Sequence, residues 1–308
     1  MTALLCPGQG SQFVGMAKDF NDNFKIASFI FEEIEDACSL NLREIIFQDS
    51  NNLLNQTNYT QVSIFASSLS IFKTLETEFD INIKYMLGHS LGEYTALACS
   101  NILSISDSAK LLKIRGNLMN TAIEPNKSGM VALIGINCTK IEKIIQDKNL
   151  NLEIANDNSP IQIVVSGLIE DINKSENDFL SNGVKKFIKL NVSSAFHSNF
   201  MKDAQEKLNY YINKTNFNES NISIISNFNA SINRNIDDIV HCLKNQMANR
   251  VRWTESTKTL ENTKEKKIIE IGPGKILSGL IKRISNTFDI ISIDKIDDLK
   301  QLNNYEQN

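Results

Sequence analysis

The sequence has few cysteines, and they are scattered. Its five cysteines lie far apart and form no C-x-x-C pair. An odd number of isolated cysteines is typical of reduced thiols in a cytoplasmic protein, and it argues against a disulfide framework or a zinc site. We therefore expect a cytoplasmic protein without a metal site.

Long apolar runs and an excess of positive charge are also missing. No apolar run approaches the length of a membrane span, and the first residues lack the basic segment and apolar core of a signal peptide. The net charge of −4 argues against nucleic acid as the main partner. We expect neither a membrane nor nucleic acid among the partners. The apolar content of 42% and the charged content of 22% are those of an ordinary globular protein.

The stretch Gly88-His89-Ser90-Leu91-Gly92 contains the Gly-x-Ser-x-Gly pattern of a nucleophile elbow. Residues 83–87 predict a strand before it, and residues 91–99 predict a helix after it. Glycines flank the serine because a sharp turn brings backbone too close for side chains. The first N–H groups of the helix would face the negative charge that forms on a reacting carbonyl. Because the pattern alone recurs by chance, it indicates only a candidate nucleophile.

A second glycine-rich loop, Pro7-Gly8-Gln9-Gly10, follows a short predicted strand at residues 3–6. The dinucleotide fingerprint is incomplete here, and no Walker lysine follows. We favour a loop whose backbone closely approaches another group, where Gln9 also offers an amide.

An arginine is predicted on the buried side of a helix. Helical spacing of apolar residues predicts helices at 60–79, with Thr60 as N-cap, and at 104–122. Arg115 lies on the apolar stripe of the second helix, and a buried guanidinium needs an anionic partner because it stays charged. Three interpretations stay open: an internal salt bridge, an arginine that reaches the surface, and an anchor for a substrate carboxylate.

The predicted elements of residues 128–194 follow the order strand, helix, strand, strand, helix, strand. This order is that of the ferredoxin-like unit. We expect a small subdomain at 128–194, inserted into a larger α/β domain that residues 1–127 and 195–308 form together.

Three histidines are available as a general base for the serine. His89 adjoins Ser90 in a tight turn, so its side chain should point away from the nucleophile. His241 shares a predicted helical face with polar residues and should be solvated. His197 follows an aromatic residue at the junction of the predicted domains, where ligand sites concentrate. By elimination His197 is the best candidate base.

Taken together, these motifs resemble the malonyl-CoA:acyl carrier protein transacylases, malonyltransferases of type II fatty acid synthesis. The resemblance covers nearly the whole chain. The motifs that carry it are Pro-Gly-Gln-Gly-Ser-Gln at 7–12, Gly-His-Ser-Leu-Gly-Glu-Tyr at 88–94, Arg115-Gly116, Phe196-His197-Ser198, Gln246, Val251-Arg252-Trp253 and Glu270-Ile271-Gly272-Pro273-Gly274. It implies an α/β-hydrolase-like large domain with a parallel sheet and an inserted ferredoxin-like subdomain.

The resemblance also implies individual roles. Ser90 would be the nucleophile and His197 its base. Arg115 would bind the malonyl carboxylate. The backbone N–H groups of Gln9 and Leu91 would form the oxyanion hole.

In this family a main-chain carbonyl near the Gln246 position orients the histidine, in place of an aspartate. Phe196 would favour malonyl over methylmalonyl, because its ring occupies the space that an α-methyl group needs. Ser194 and Ala195 depart from the family pattern, in which Gly and Pro usually precede Phe-His.

The implied reaction is a ping-pong acyl transfer from malonyl-CoA to Ser90 and then to the phosphopantetheine thiol of acyl carrier protein. We expect no cofactor, and we expect a monomer.

One alternative is a serine hydrolase, esterase-like or with a patatin-like Ser-Asp dyad; Arg115 and the lack of a clear catalytic Asp argue against it. Another is a catalytically silent homologue that binds the carrier, which the intact Ser90, His197, Arg115 and Gln9 argue against.

Overall fold

The computed structural model describes residues 2–305, and the side chains of residues 2–302. The strands are β1 (Thr2–Cys6), β2 (Ile83–Gly88), β3 (Ser128–Ile134), β4 (Leu152–Ser159), β5 (Gln162–Leu168), β6 (Lys186–Lys189), β7 (Ser223–Ile225), β8 (Ile232–Asn233), β9 (Lys267–Ile271) and β10 (Asp289–Ile293). The helices are α1 (Lys18–Asn23), α2 (Lys25–Cys38), α3 (Leu42–Phe47), α4 (Thr57–Glu78), α5 (Leu91–Cys99), α6 (Ile105–Thr121), α7 (Cys138–Asp147), α8 (Ile169–Ser181), α9 (Lys202–Ile212), α10 (Ile236–Gln246), α11 (Trp253–Glu261), α12 (Ile276–Ile284) and α13 (Lys300–Tyr305). Short 3-10 turns lie at Asn199–Met201 and Ile296–Leu299.

The larger sheet has the strand order β10-β9-β1-β2-β7-β8 and is parallel except for the β7–β8 pair. Alternate residues of the central strand β1 face opposite sides. Leu4 and Cys6 join the core that α2, α4, α5 and α6 cover, whereas Ala3 and Leu5 join the core under α11 and α12. Because both faces are covered, β1 is apolar throughout.

Strands β1 and β2 end side by side, with Cys6 opposite Gly88. The glycine-rich loop after β1 and the turn from β2 into α5 therefore meet at one edge of the sheet. In parallel α/β sheets, ligands bind at the carboxyl ends of the strands. The strand and helix around the serine are confirmed, and the helix has the bounds expected from the sequence.

The smaller sheet is antiparallel, in the order β4-β5-β3-β6, and its connections confirm the ferredoxin-like arrangement. Val131 and Leu133 face α7 and α8, while Met130 and Ala132 on the opposite face of β3 join the core of the larger part. All these elements lie within residues 128–194. The domain boundaries themselves stay a prediction.

Helix α4 begins earlier than the sequence indicated. Its N-cap is Gln56, and Thr60 lies inside the first turns, where its hydroxyl donates to the carbonyl oxygens of Leu54 and Gln56. The predicted N-cap was therefore wrong. The helix is buried on almost every side as far as Leu75, so no change from polar to apolar residues marks its start. Among residues 2–305, no helix is long and apolar enough to cross a membrane.

Candidate active site

Ser90 lies in a strained turn between β2 and α5. Its φ of 55° and ψ of −109° belong to a conformation that side chains rarely adopt. A Cβ atom on Gly88 would lie 1.8 Å from the carbonyl carbon of Gly92, and one on Gly92 would lie 2.1 Å from the carbonyl oxygen of Cys6. Neither glycine can carry a side chain in this turn, which confirms the reasoning from the Gly-x-Ser-x-Gly pattern.

His197 contacts the serine through its Nε2 atom, which lies 2.7 Å from Ser90 Oγ. Its Nδ1 atom lies 3.1 Å from the carbonyl oxygens of both Gln246 and Asn249. Because carbonyl oxygens only accept, Nδ1 carries the ring proton and Nε2 is free to accept the hydroxyl proton of Ser90. Two main-chain carbonyls thus orient this histidine, and the contact to Asn249 was not expected.

The environment of His197 keeps its ring neutral. The side chain is 4% exposed, and burial followed by the nearby positive charge of Arg115 lowers its pKa from 6.5 to about 3. Desolvation and a like charge both disfavour the imidazolium form. His197 is therefore neutral at pH 7, the state in which its Nε2 atom can accept a proton.

The other two histidines lie where the sequence analysis placed them. His89 turns away from Ser90, with its Nε2 atom 2.8 Å from Asn158 Oδ1 and its ring centroid 5.5 Å from that of Trp253. His241 is exposed on α10. Neither is positioned to act on the serine hydroxyl.

Arg115 is 1% exposed and reaches Ser90. Its Nη2 atom donates to Ser90 Oγ at 3.0 Å and to Gln246 Oε1 at 3.0 Å, and its Nη1 atom donates to Gln61 Oε1 at 2.7 Å. Among the side chains of residues 2–302, no carboxylate forms an ion pair with this guanidinium. The structure excludes both the internal salt bridge and the surface arginine. The hydrogen-bond partners of the guanidinium (Ser90, Gln246 and Gln61) are neutral, and Glu93 acts on its charge from beyond ion-pair distance.

A buried acid and two amides lie beneath the serine. The Nε2 atom of Gln246 donates to the carbonyl oxygen of Ser90 and to Glu93 Oε2, both at 2.8 Å. Asn227 donates its backbone N–H to Glu93 Oε2 at 3.1 Å and accepts the N–H of Ser90 on Oδ1 at 2.7 Å. Burial raises the pKa of Glu93, while these donors oppose the shift. This network fixes the turn and the orientation of the Gln246 amide.

Sequence reasoning missed Gln61, Glu93 and Asn227. Glu93 stands within the serine motif, so its place in the elbow was available as a signal. Asn227 follows a three-residue strand, and Gln61 lies inside a helix predicted only from its apolar spacing.

Gln9 lies in the glycine-rich loop beside the elbow, and Leu91 is the residue of the elbow that follows Ser90. A Cβ atom on Gly8 would lie 2.6 Å from the carbonyl oxygen of His89, so the loop that carries Gln9 packs directly against the turn. The side chain of Gln9 donates to Thr57 Oγ1 at 3.2 Å. Leu91 is the first residue of α5, where N–H groups lack a helical acceptor.

Hydrogen bonds fix the segment Ser194-Ala195 before His197, although these two residues depart from the family pattern. Ser128 Oγ lies 3.2 Å from Ser194 Oγ and accepts the N–H of Ala195 at 3.1 Å. Phe196 is buried, and His197 has a φ of 55°, in the left-handed region.

A cleft of about 450 Å³ runs from the glycine-rich loop to the smaller sheet. Amide side chains line it, including Gln9, Asn55, Asn158 and Gln162, together with apolar residues of β5 and α12. His89, the neighbour of Ser90, lies in the wall of this cleft. Among the described residues, no group of three or more His, Cys, Asp or Glu side chains could hold a metal ion.

Comparison with known proteins identifies the family to which this chain belongs. The acyl transferase domain family matches residues 3–294. The malonyl CoA-acyl carrier protein transacylase of Bacillus subtilis (strain 168) is 33% identical over 94% of this chain and 92% of its own length. The protein of the same name from Staphylococcus aureus (strain MRSA252) is 33% identical over 98% of both chains.

Solved structures agree with these sequence relatives. The acyl-carrier-protein-S-malonyltransferase of Bartonella henselae superposes with a TM-score of 0.95 at 31% identity, covering 100% of this chain and 99% of that one. A malonyl-transacylase in complex with a type II PKS acyl-carrier protein superposes with a TM-score of 0.94 at 30% identity, covering 100% and 99% of the two chains.

Proposed function

The chain belongs to the acyl transferase family, and we propose that it transfers a malonyl group from malonyl-CoA to the phosphopantetheine thiol of an acyl carrier protein. The observation that carries this proposal is Arg115, a buried guanidinium that donates to Ser90 Oγ and forms no ion pair with a carboxylate among the side chains of residues 2–302. Any acyl group could occupy an activated serine. A guanidinium at this point favours an acyl group with a free carboxylate, which it can bind through two parallel hydrogen bonds.

In the first half-reaction, His197 Nε2 accepts the hydroxyl proton of Ser90 while Oγ bonds to the thioester carbonyl carbon of malonyl-CoA. The backbone N–H groups of Gln9 and Leu91 stabilise the resulting oxyanion, and one such donor typically contributes about 10²–10³ in rate. The carbon–sulfur bond then breaks. The coenzyme A thiolate leaves with the proton from His197, and malonyl-Ser90 remains.

The second half-reaction reverses these steps with a different thiol. His197 takes the proton of the phosphopantetheine thiol, and the sulfur attacks the carbonyl carbon of malonyl-Ser90. The ester bond breaks, Ser90 Oγ recovers the proton, and malonyl leaves on the carrier. No further reactant is needed. The first half-reaction consumes the serine alcohol and releases a thiol, and the second consumes a thiol and releases the serine alcohol.

The cleft suits the arm that both substrates share. Pantetheine carries amide groups on an otherwise aliphatic chain, and the cleft combines amide side chains with apolar ones. Ser90 is only 9% exposed, which supports transfer to a bound thiol over hydrolysis by bulk water.

Three further assignments belong to this proposal. Phe196, buried beside His197, restricts the space for an α-methyl group. We also propose a monomer, because Ser90, His197 and Arg115 meet within a single copy of the chain and need no residue of a second copy. The five cysteines are all free, which supports a cytoplasmic location.

Labelling with malonyl-CoA tests the function. Intact-mass measurement should show one malonyl adduct on the wild type and none on Ser90→Ala. A chase with the phosphopantetheinylated carrier should remove the adduct and yield malonyl-carrier. Rapid loss of the adduct to water without carrier would indicate a hydrolase, and absence of any adduct would indicate a silent homologue.

A further inference from the structure

One face of α4 contacts two parts of the active site. Thr57 and Gln61 are four residues apart, so their side chains lie on the same side of the helix. Thr57 Oγ1 accepts a hydrogen bond from the side chain of Gln9, and Gln61 Oε1 accepts one from Arg115. The N-terminal turns of α4 therefore hold both the loop of the oxyanion hole and the carboxylate anchor.

Gly116 explains how Arg115 comes within reach of this face. A Cβ atom at Gly116 would lie 2.9 Å from the Cα atom of Asn58 and 3.0 Å from the carbonyl oxygen of Thr57. Helices α4 and α6 thus meet backbone against backbone at this point. The close approach places the guanidinium of Arg115 within 2.7 Å of Gln61 Oε1.

Gln61 fixes the guanidinium without neutralising it. The side chain is 1% exposed, and its Nε2 atom faces the sulfur of Met119 at 3.3 Å, a weak acceptor. Because the amide nitrogen of Gln61 faces the thioether of Met119, the amide oxygen is directed at Arg115. A glutamate has nearly the same shape, but it would place a carboxylate in direct contact with Arg115, which forms no such ion pair among the side chains of residues 2–302. The neutral amide therefore leaves the positive charge available to a ligand.

We propose that Gln61 is a positioning residue that determines specificity: it orients Arg115 toward the reacting acyl group and, because it is neutral, reserves the guanidinium charge for a substrate carboxylate. This inference rests on the proposed function, and it adds a residue that acts through Arg115. It also assigns a role to Gly116, whose missing side chain allows the contact.

The test compares malonyl-CoA and acetyl-CoA as donors to the carrier, with kcat/KM measured for each. Gln61→Glu should lower malonyl transfer by about 30-fold or more, because the new carboxylate competes with that of the substrate for Arg115. Acetyl transfer, which needs no anchor, should stay the same or rise. Gln61→Met, which removes the acceptor without adding charge, should lower malonyl transfer by about 10-fold and acetyl transfer less.

Gln205→Glu is a matched control, since Gln205 is a buried glutamine on α9 whose side chain hydrogen-bonds to Asn209 and to the N–H of Met247 and not to Arg115. Its ratio of malonyl to acetyl transfer should equal that of the wild type. Thermal unfolding identifies variants that do not fold; if Gln61→Glu is one of them, the donor ratio of Gln61→Met decides.

Equal losses with both donors in the Gln61 variants would overturn the inference, and so would unchanged malonyl transfer in Gln61→Glu. Failure of the wild type to transfer malonyl would instead overturn the proposed function. The two failures are therefore distinguishable.

Discussion

The pH dependence of malonyl loading should report the burial of His197. Burial and the charge of Arg115 lower its pKa from 6.5 to about 3. At pH 5 a histidine with this lowered pKa is about 99% neutral, whereas one with the ordinary value is about 3% neutral. We therefore expect kcat/KM for malonyl-CoA to stay nearly constant between pH 7 and pH 5. An ordinary histidine would lose about 25-fold over the same interval.

The lowered pKa of His197 also makes the free energy of unfolding decrease as the pH falls. The unfolded chain binds a proton on His197 as the pH falls through 6.5, while the folded protein does not until about pH 3. The contribution of His197 to the free energy of unfolding is therefore fully present above pH 6.5 and is lost as the pH falls toward 3. The loss between pH 7 and pH 5 is about 2 kcal/mol.

Two measurements check this reasoning. The rate of Ser90 malonylation is followed from pH 5 to pH 8, and urea unfolding is compared between the wild type and His197→Asn at pH 7 and pH 5. Asparagine tolerates the positive φ of this position and does not titrate. The wild type should lose about 2 kcal/mol more than the variant, since His89 contributes equally to both. A fall in rate centred near pH 6.5, or equal stability losses, would refute the argument.

Two further substitutions probe the acyl pocket. Arg115→Ala should reduce malonyl transfer by the equivalent of about 2–5 kcal/mol and acetyl transfer far less, as measured by kcat/KM for the two donors; equal losses would contradict the anchor role. Phe196→Ala should raise methylmalonyl transfer relative to malonyl transfer, as measured by competition between the two CoA esters, because it removes the ring that restricts an α-methyl group. An unchanged product ratio would show that this ring does not set the choice.

The parts of the site that the sequence predicted are those with a local signature. Gly88 and Gly92 mark the elbow because backbone contacts of 1.8 Å and 2.1 Å exclude any Cβ atom there. Arg115 could be placed on a buried stripe by helical spacing. His197 could be found by elimination among three histidines.

The parts that it did not predict depend on contacts between distant segments. Asn227 accepts the N–H of Ser90 from 137 positions away, at the end of a strand of three residues that carries no periodic signal. Gln61 lies on a helix that is buried on almost every side, so its apolar spacing does not single out a functional face. These residues act through tertiary packing, which a single sequence does not display.

The two carbonyl oxygens that hold His197 have a consequence for how this site tolerates mutation. Both acceptors belong to the main chain, at Gln246 and Asn249, so substitution at position 249 leaves the carbonyl oxygen in place. In a triad with an aspartate, a single codon change removes the orienting group. Here the orientation is lost only if the path of the backbone changes. That path is anchored where the N–H of Val251 donates to the carbonyl oxygen of Ala155, at 2.8 Å. The smaller sheet, which supplies neither Ser90 nor His197, thus helps to hold the backbone that orients His197.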